Sequence, residues 1–131
     1  MIGLDTNLLV RFFMQDDTVQ TAAVSRLFAT LHAKNPGFVS LVVLVELHWV
    51  LERFYRVDRE SRLVITESLL SADQLKVESS SVVRQALAMS KGSSADFPDC
   101  LITKLDESAG CETVLTFDKA AAKHAGMSLL K

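Results

Sequence analysis

Four carboxylates stand where turns of the chain can bring acids together: Asp5 after the apolar run Met1 to Leu4, Glu46 inside an apolar stretch, Asp99 in Ser94-Ala95-Asp96-Phe97-Pro98-Asp99, and Asp118 after Leu115-Thr116-Phe117. Each has an ordinary reading. Asp5 and Asp118 precede helix-like segments and suit N-caps. Proline is tolerated only in the first helical turn, so a helix starts near Phe97; Asp96 takes its cap, and Asp99 three residues on resembles a capping box. Asp99 also lies one turn before Ile102 and Thr103, which aims it partly at the buried side, where a bare carboxylate is costly. Glu46 resists an ordinary reading most, because its neighbours one turn away are Val42, Val43, Trp49 and Val50. An acid in such a stripe needs a cation, either Arg11 or Arg26 in a salt bridge or a metal ion.

Acids that follow different strands converge if the sheet is parallel, and convergence needs positive charge. The three histidines, His32, His48 and His124, are scattered and make no zinc-type set. Oxygen-only ligation favours Mg2+ or Mn2+. Carboxylates holding such ions suit phosphoryl chemistry, an in-line displacement with water as nucleophile.

The elements that must position these acids alternate. Strands are expected at Met1 to Leu4, Phe38-Val39, Leu75 to Val77, Thr113 to Thr116 and Met127 to Leu130. Helices are expected at Leu8 to Met14, Thr18 to Ala33 (Val19, Ala23, Leu27 and Leu31 inward), Leu41 to Phe54 capped by Ser40, Asp58 to Leu70, Val82 to Met89, Phe97 to Ala109 and Lys119 to His124. This order predicts an α/β fold with a mostly parallel sheet, whose ligands bind beyond the carboxyl ends of the strands. A chain of 131 residues, 49% hydrophobic and 23% charged, fits a single domain, residues 1–131, and excludes disordered and fibrous classes. A net charge of −2 supplies no general attraction for nucleic acid, so any such binding is local. The longest apolar run, Leu41 to Val45, is too short to span a membrane, and the absence of a signal stretch and of paired cysteine spacing points to the cytoplasm.

With Asp5-Thr6-Asn7, Glu46, Asp99-Cys100-Leu101-Ile102 and Thr116-Phe117-Asp118 in this order, the chain resembles the PIN-domain family, specifically its VapC-type toxin ribonucleases, over essentially its whole length. The resemblance implies a PIN-like fold, with a central parallel five-stranded sheet flanked by helices, and a Mg2+- or Mn2+-dependent endoribonuclease. It carries the catalytic and metal-binding acids to Asp5, Glu46, Asp99 and Asp118 and the supporting hydroxyls to Thr6 and Thr116; Asp96 is added as a candidate ligand, and Asn7 and Ser40 as supporting candidates. It also implies a VapB-type antitoxin partner and a homodimer. Two positions depart from the family pattern: Thr103-Lys104 interrupt the small apolar run after the third acid, and Ala120 replaces a frequent fifth acid.

Arg53, Arg56, Arg59 and Arg62 recur every third residue and are candidates for RNA or antitoxin contact, against the plain reading of a solvated face. Phe12, Phe13, Phe28, Phe38 and Phe54 read as core, Trp49 as core or dimer interface, Cys100 and Cys111 as buried, and His48 as surface or close to the site. A catalytically inactive PIN-like module that binds RNA or a partner is the main alternative. A phospho-accepting receiver domain fails because the Asp16-Asp17 pair follows a helix. A haloacid-dehalogenase-type phosphatase fails because Asn7 stands where its second aspartate is needed.

Overall fold

The computed structural model describes residues Met1–Lys131 and contains two compact units, Met1–Glu78 and Ser79–Lys131. The first runs β1 (Ile2–Gly3), α1 (Thr6–Met14), α2 (Thr18–Thr30), β2 (Gly37–Val39), α3 (Leu41–Arg53), α4 (Arg59–Ser71) and β3 (Leu75–Val77). Its strands form a parallel sheet in the order β1-β2-β3, with Gly37 opposite both Ile2 and Leu75. Each crossover is a pair of helices. Leu9, Val10, Val39, Leu44, Leu47 and Leu51 lie at its buried core. Gly37 allows β2 to pass close to its neighbours, since a Cβ there would stand 2.7 Å from a Leu4 methyl carbon and 3.1 Å from one of Leu31. The buried face of α2 is set by Val24 and Phe28, one position on from the expected Ala23 and Leu27; Leu31 is buried as expected just after the helix, and Val19 is exposed. The stacking of Phe28 on Phe12, ring centroids 4.4 Å apart, explains that rotation, because the largest side chain gains most by burial.

The second unit comprises α5 (Ser80–Lys91), α6 (Phe97–Ser108), β4 (Leu115–Thr116), α7 (Lys119–His124) and β5 (Ser128–Leu129). α5 and α6 pack on each other through a core that includes Val83, Ala86, Leu87, Phe97, Cys100 and Leu101. β4 and β5 pair in parallel around α7. Thr103, which departs from the family's apolar run, is buried and donates from its hydroxyl to the Ala125 carbonyl at 2.6 Å, so it ties α6 to the end of α7. Five strands are present, parallel within a sheet of three in the first unit and within a sheet of two in the second, in place of the expected continuous ladder of five. Strands of two residues, such as β1, β4 and β5, offer few ladder bonds, which limits how far pairing extends.

Candidate active site

Asp5 ends the link from β1 and caps α1, its Oδ1 accepting the Thr6 amide at 2.8 Å. Thr6 is buried, and its hydroxyl donates to the Glu46 carboxylate, which joins the start of α1 to the middle of α3. Glu46 is exposed, contrary to the stripe expected around it: α3 buries Leu44, Leu47, His48 and Leu51, and leaves Val42, Val45 and Trp49 on the open side with the acid. No arginine answers Glu46 in a salt bridge, for Arg11 pairs with Asp16 at 3.0 Å. Ser40 caps α3, accepting the Val43 amide at 3.2 Å, while Asn7 is exposed on the first turn of α1. Sequence reasoning missed Glu78, whose carboxylate accepts the Leu41 amide at 2.9 Å and fixes the start of α3. Its place immediately after β3, at a strand's carboxyl end, was the available signal.

In the second unit Asp96 stands at the N-cap position of α6 but makes no capping hydrogen bond through its side chain, so the expected cap and capping box do not form. Asp99 is half-buried in the first turn of α6. Burial first, then the negative charges of Asp96 and Asp118, push its carboxyl above the usual aspartate range, and no hydrogen bond or cation offsets them. Asp118 caps α7, its Oδ1 accepting the Ala120 and Ala121 amides at 2.8 and 3.0 Å, and its own amide donates to the Thr116 hydroxyl at 3.0 Å. Thr116 therefore supports Asp118, and Ala120 contributes its backbone where a fifth acid is absent. Within either unit, no three His, Cys, Asp or Glu side chains lie close enough to hold a metal ion among themselves.

A family model described as the PIN domain matches residues 2–127. The chain belongs to the PIN domain family. Over 122 residues, 92% of this PIN domain chain and 89% of the relative, it is 28% identical to the protein named VapC ribonuclease from Aquifex aeolicus (strain VF5).

Other candidates of this PIN domain are placed differently from expectation. The four arginines share no helix face, because α3 ends at Arg53 and α4 begins at Arg59. Arg62 is buried, its Nε donating to the Val57 carbonyl at 3.2 Å, which removes it from the surface available to RNA or antitoxin. The Arg53 guanidinium lies 4.5 Å from the Trp49 ring centroid. His48 is buried on α3 and bonded through Nε2 to the Thr66 hydroxyl at 2.6 Å, so it belongs to the core. Cys111 is exposed, while Cys100 is buried as expected. Phe54 is exposed, not core, because it follows the last turn of α3.

Proposed function

We propose that this PIN domain is an endoribonuclease that hydrolyses RNA phosphodiesters as the toxin of a VapBC-type toxin-antitoxin pair. The match to the PIN domain over residues 2–127 and the likeness to a VapC ribonuclease carry this reading, and Asp99, half-buried under the negative charges of Asp96 and Asp118, is the acid most in need of a cation. The residues fit a hard divalent ion, Mg2+ or Mn2+, since the candidate donors are carboxylates with hydroxyls at their sides. Asp5, Glu46, Asp99 and Asp118 are the proposed ligands, with Asp96 supplementing them, as the likeness to the family implies. Bound there, the cation would lower the pKa of a coordinated water and offset charge on the phosphodiester.

The chain's own part is positioning. The Thr6 amide and hydroxyl hold Asp5 and Glu46, and the two α7 amides hold Asp118, so three of the acids are oriented before any ligand arrives. The likeness to a VapC ribonuclease supports RNA as substrate and a VapB-type antitoxin as partner, and a cytoplasmic setting is proposed with them. No helix is long and apolar enough to cross a membrane. The exposed apolar side of α3, with Val42 76% and Trp49 50% exposed, supports a homodimer.

Cleavage of labelled RNA in Mn2+ by purified protein tests this reading. Glu46→Gln and Asp99→Asn should each lose roughly a hundredfold or more in rate while staying folded, the lower range for loss of a group that acts on proton transfer. Wild-type turnover in either variant would overturn the assignment. A wild type that binds RNA without cutting it would establish the inactive PIN-like module instead.

A further inference from the structure

The face of α1 bearing Asn7, Val10 and Arg11 and the end of α3 bearing Val50, Phe54 and Tyr55 line a cleft of about 500 Å3. That size falls within the roughly 300–1,000 Å3 of clefts that bind small organic groups. Glu46, Val50 and Phe54 succeed one another at four-residue spacing, so they share one stripe of α3, with Phe54 about 12 Å along the axis from Glu46. On α1, Asn7 directly follows Thr6, whose hydroxyl holds Glu46. The cleft is therefore the next space along both helices from the Thr6–Glu46 bond.

Its far wall is a closed polar cluster. Arg11 donates to Asp16 at 3.0 Å, to the Tyr55 hydroxyl at 3.1 Å and to the Gln20 side chain at 2.6 Å, and Tyr55 donates to Asp16 at 2.7 Å. Asp16 thus balances the guanidinium, and a phosphate would find little unmatched charge there. What remains on offer is flat: the guanidinium plane, Tyr55, and the ring of Phe54, 72% exposed and met edge-on by Trp49 at 6.3 Å. The exposed Asn7 amide adds a donor and an acceptor side by side, the pattern that pairs with a base edge.

We propose that this cleft binds a nucleobase of the RNA strand, close to the cleaved bond but not at it, with Phe54 stacking on the base and Asn7 reading its edge. The inference rests on the nuclease reading above and specifies where that enzyme selects single-stranded substrate. A peptide side chain is the competing occupant.

The test is cleavage kinetics of Phe54→Ala, Phe54→Leu and Phe54→Trp on a single-stranded fluorescent RNA oligonucleotide in Mn2+, repeated with one abasic site moved along the strand. Because Phe54 is exposed, the variants keep the fold, which circular dichroism melts check. Phe54→Ala and Phe54→Leu should raise KM on the order of 5- to 150-fold, the span of base–aromatic stacking, with kcat little changed, and Phe54→Trp should restore it. One abasic position should raise the wild-type KM similarly and add nothing further in Phe54→Ala. An unchanged KM, or abasic effects that add to the variant's, overturns the inference. So does a Phe54→Ala protein with normal RNA kinetics that loses a co-expressed protein partner, which would make the cleft a peptide site. A wild type that cleaves no RNA overturns the nuclease reading itself, whereas an active enzyme indifferent to Phe54 overturns only this one.

Discussion

In Met1–Glu78 the candidate acids are held by donors of the chain, Asp5 by the Thr6 amide and Glu46 by the Thr6 hydroxyl. In Ser79–Lys131 Asp118 is held in the same way, but Asp99 meets only burial and two like charges. The difference separates two jobs that a metal-binding carboxylate can have. The first set is oriented by donors of the protein itself. Asp99 stores repulsion that only an outside positive charge or a proton relieves. The repulsion that a bound cation relieves should therefore reside in the second unit, and stability measurements can break that division.

The largest effect is expected from Mn2+ itself. An ion that binds only the folded state stabilises by about 2.7 kcal/mol at a hundredfold excess over its dissociation constant. Asp99→Asn should shrink that gain while raising the melting temperature in chelator near neutral pH, because it removes the repelled charge. The pH dependence has a fixed sign. The folded pKa of Asp99 lies above its unfolded value, so the metal-free fold gains stability as pH falls through the folded pKa and loses it as pH rises through it. In Asp99→Asn that slope should vanish. Apo destabilisation with an undiminished Mn2+ gain would mean that Asp99 is a helix-terminus charge and nothing more.

Much of this was readable from the chain. The order of strands and helices follows from apolar periodicity and from caps such as Ser40, Asp58 and Asp118, each of which does cap its helix. Asp5, Asp99 and Asp118 stand out as candidates because they sit at turns where a carboxylate declares itself, and Glu46 because it interrupts an apolar run. What was not legible is which way a side chain faces when both faces of a helix are apolar. On α3 the run from Leu41 to Val45 gives no contrast, so Glu46 read as buried and His48 as surface, and each is the reverse. The same lack of contrast rotated α2 by one position. Asp96 misled differently: position alone suggests a cap, whereas the absence of a capping bond depends on side-chain geometry that spacing does not encode.

His48 extends the comparison with the opposite sign. Burial, and then the charge of Arg62, lower its pKa from 6.5 to about 3, so the folded state keeps it neutral while the unfolded chain protonates below pH 6.5. The unfolded state then binds more protons, and stability falls as pH drops through that window, by about 2 kcal/mol near pH 5. Denaturant unfolding at neutral pH and near pH 5 should show this loss in an Asp99→Asn background, where the opposing slope is gone. Adding His48→Gln, which can still donate to Thr66, should flatten it. Acid sensitivity that persists undiminished without His48 would place the acid-labile group elsewhere.

The smallest effect compares two helix starts. α3 begins under a working cap, Ser40 accepting the Val43 amide, whereas α6 begins at Asp96 without one. Ser40→Ala leaves an amide of the first turn without its acceptor and should cost about 1 kcal/mol. Asp96→Asn keeps the size and hydrogen-bonding capacity of its side chain, removes no capping bond, and takes away the charge that does more than Asp118's to raise Asp99's pKa. In chelator it should therefore stabilise the fold, the opposite sign to Ser40→Ala, and its gain should disappear once Asp99 is already neutral in Asp99→Asn. Thermal melts of the two single variants and of the Asp96→Asn, Asp99→Asn double decide the point. The two acids are coupled through charge if the double variant gains no more than Asp99→Asn alone. If Asp96→Asn instead destabilises as Ser40→Ala does, in either background, Asp96 supports the helix start by a bond of its own and the contrast between the two units narrows to Asp99 and Asp118.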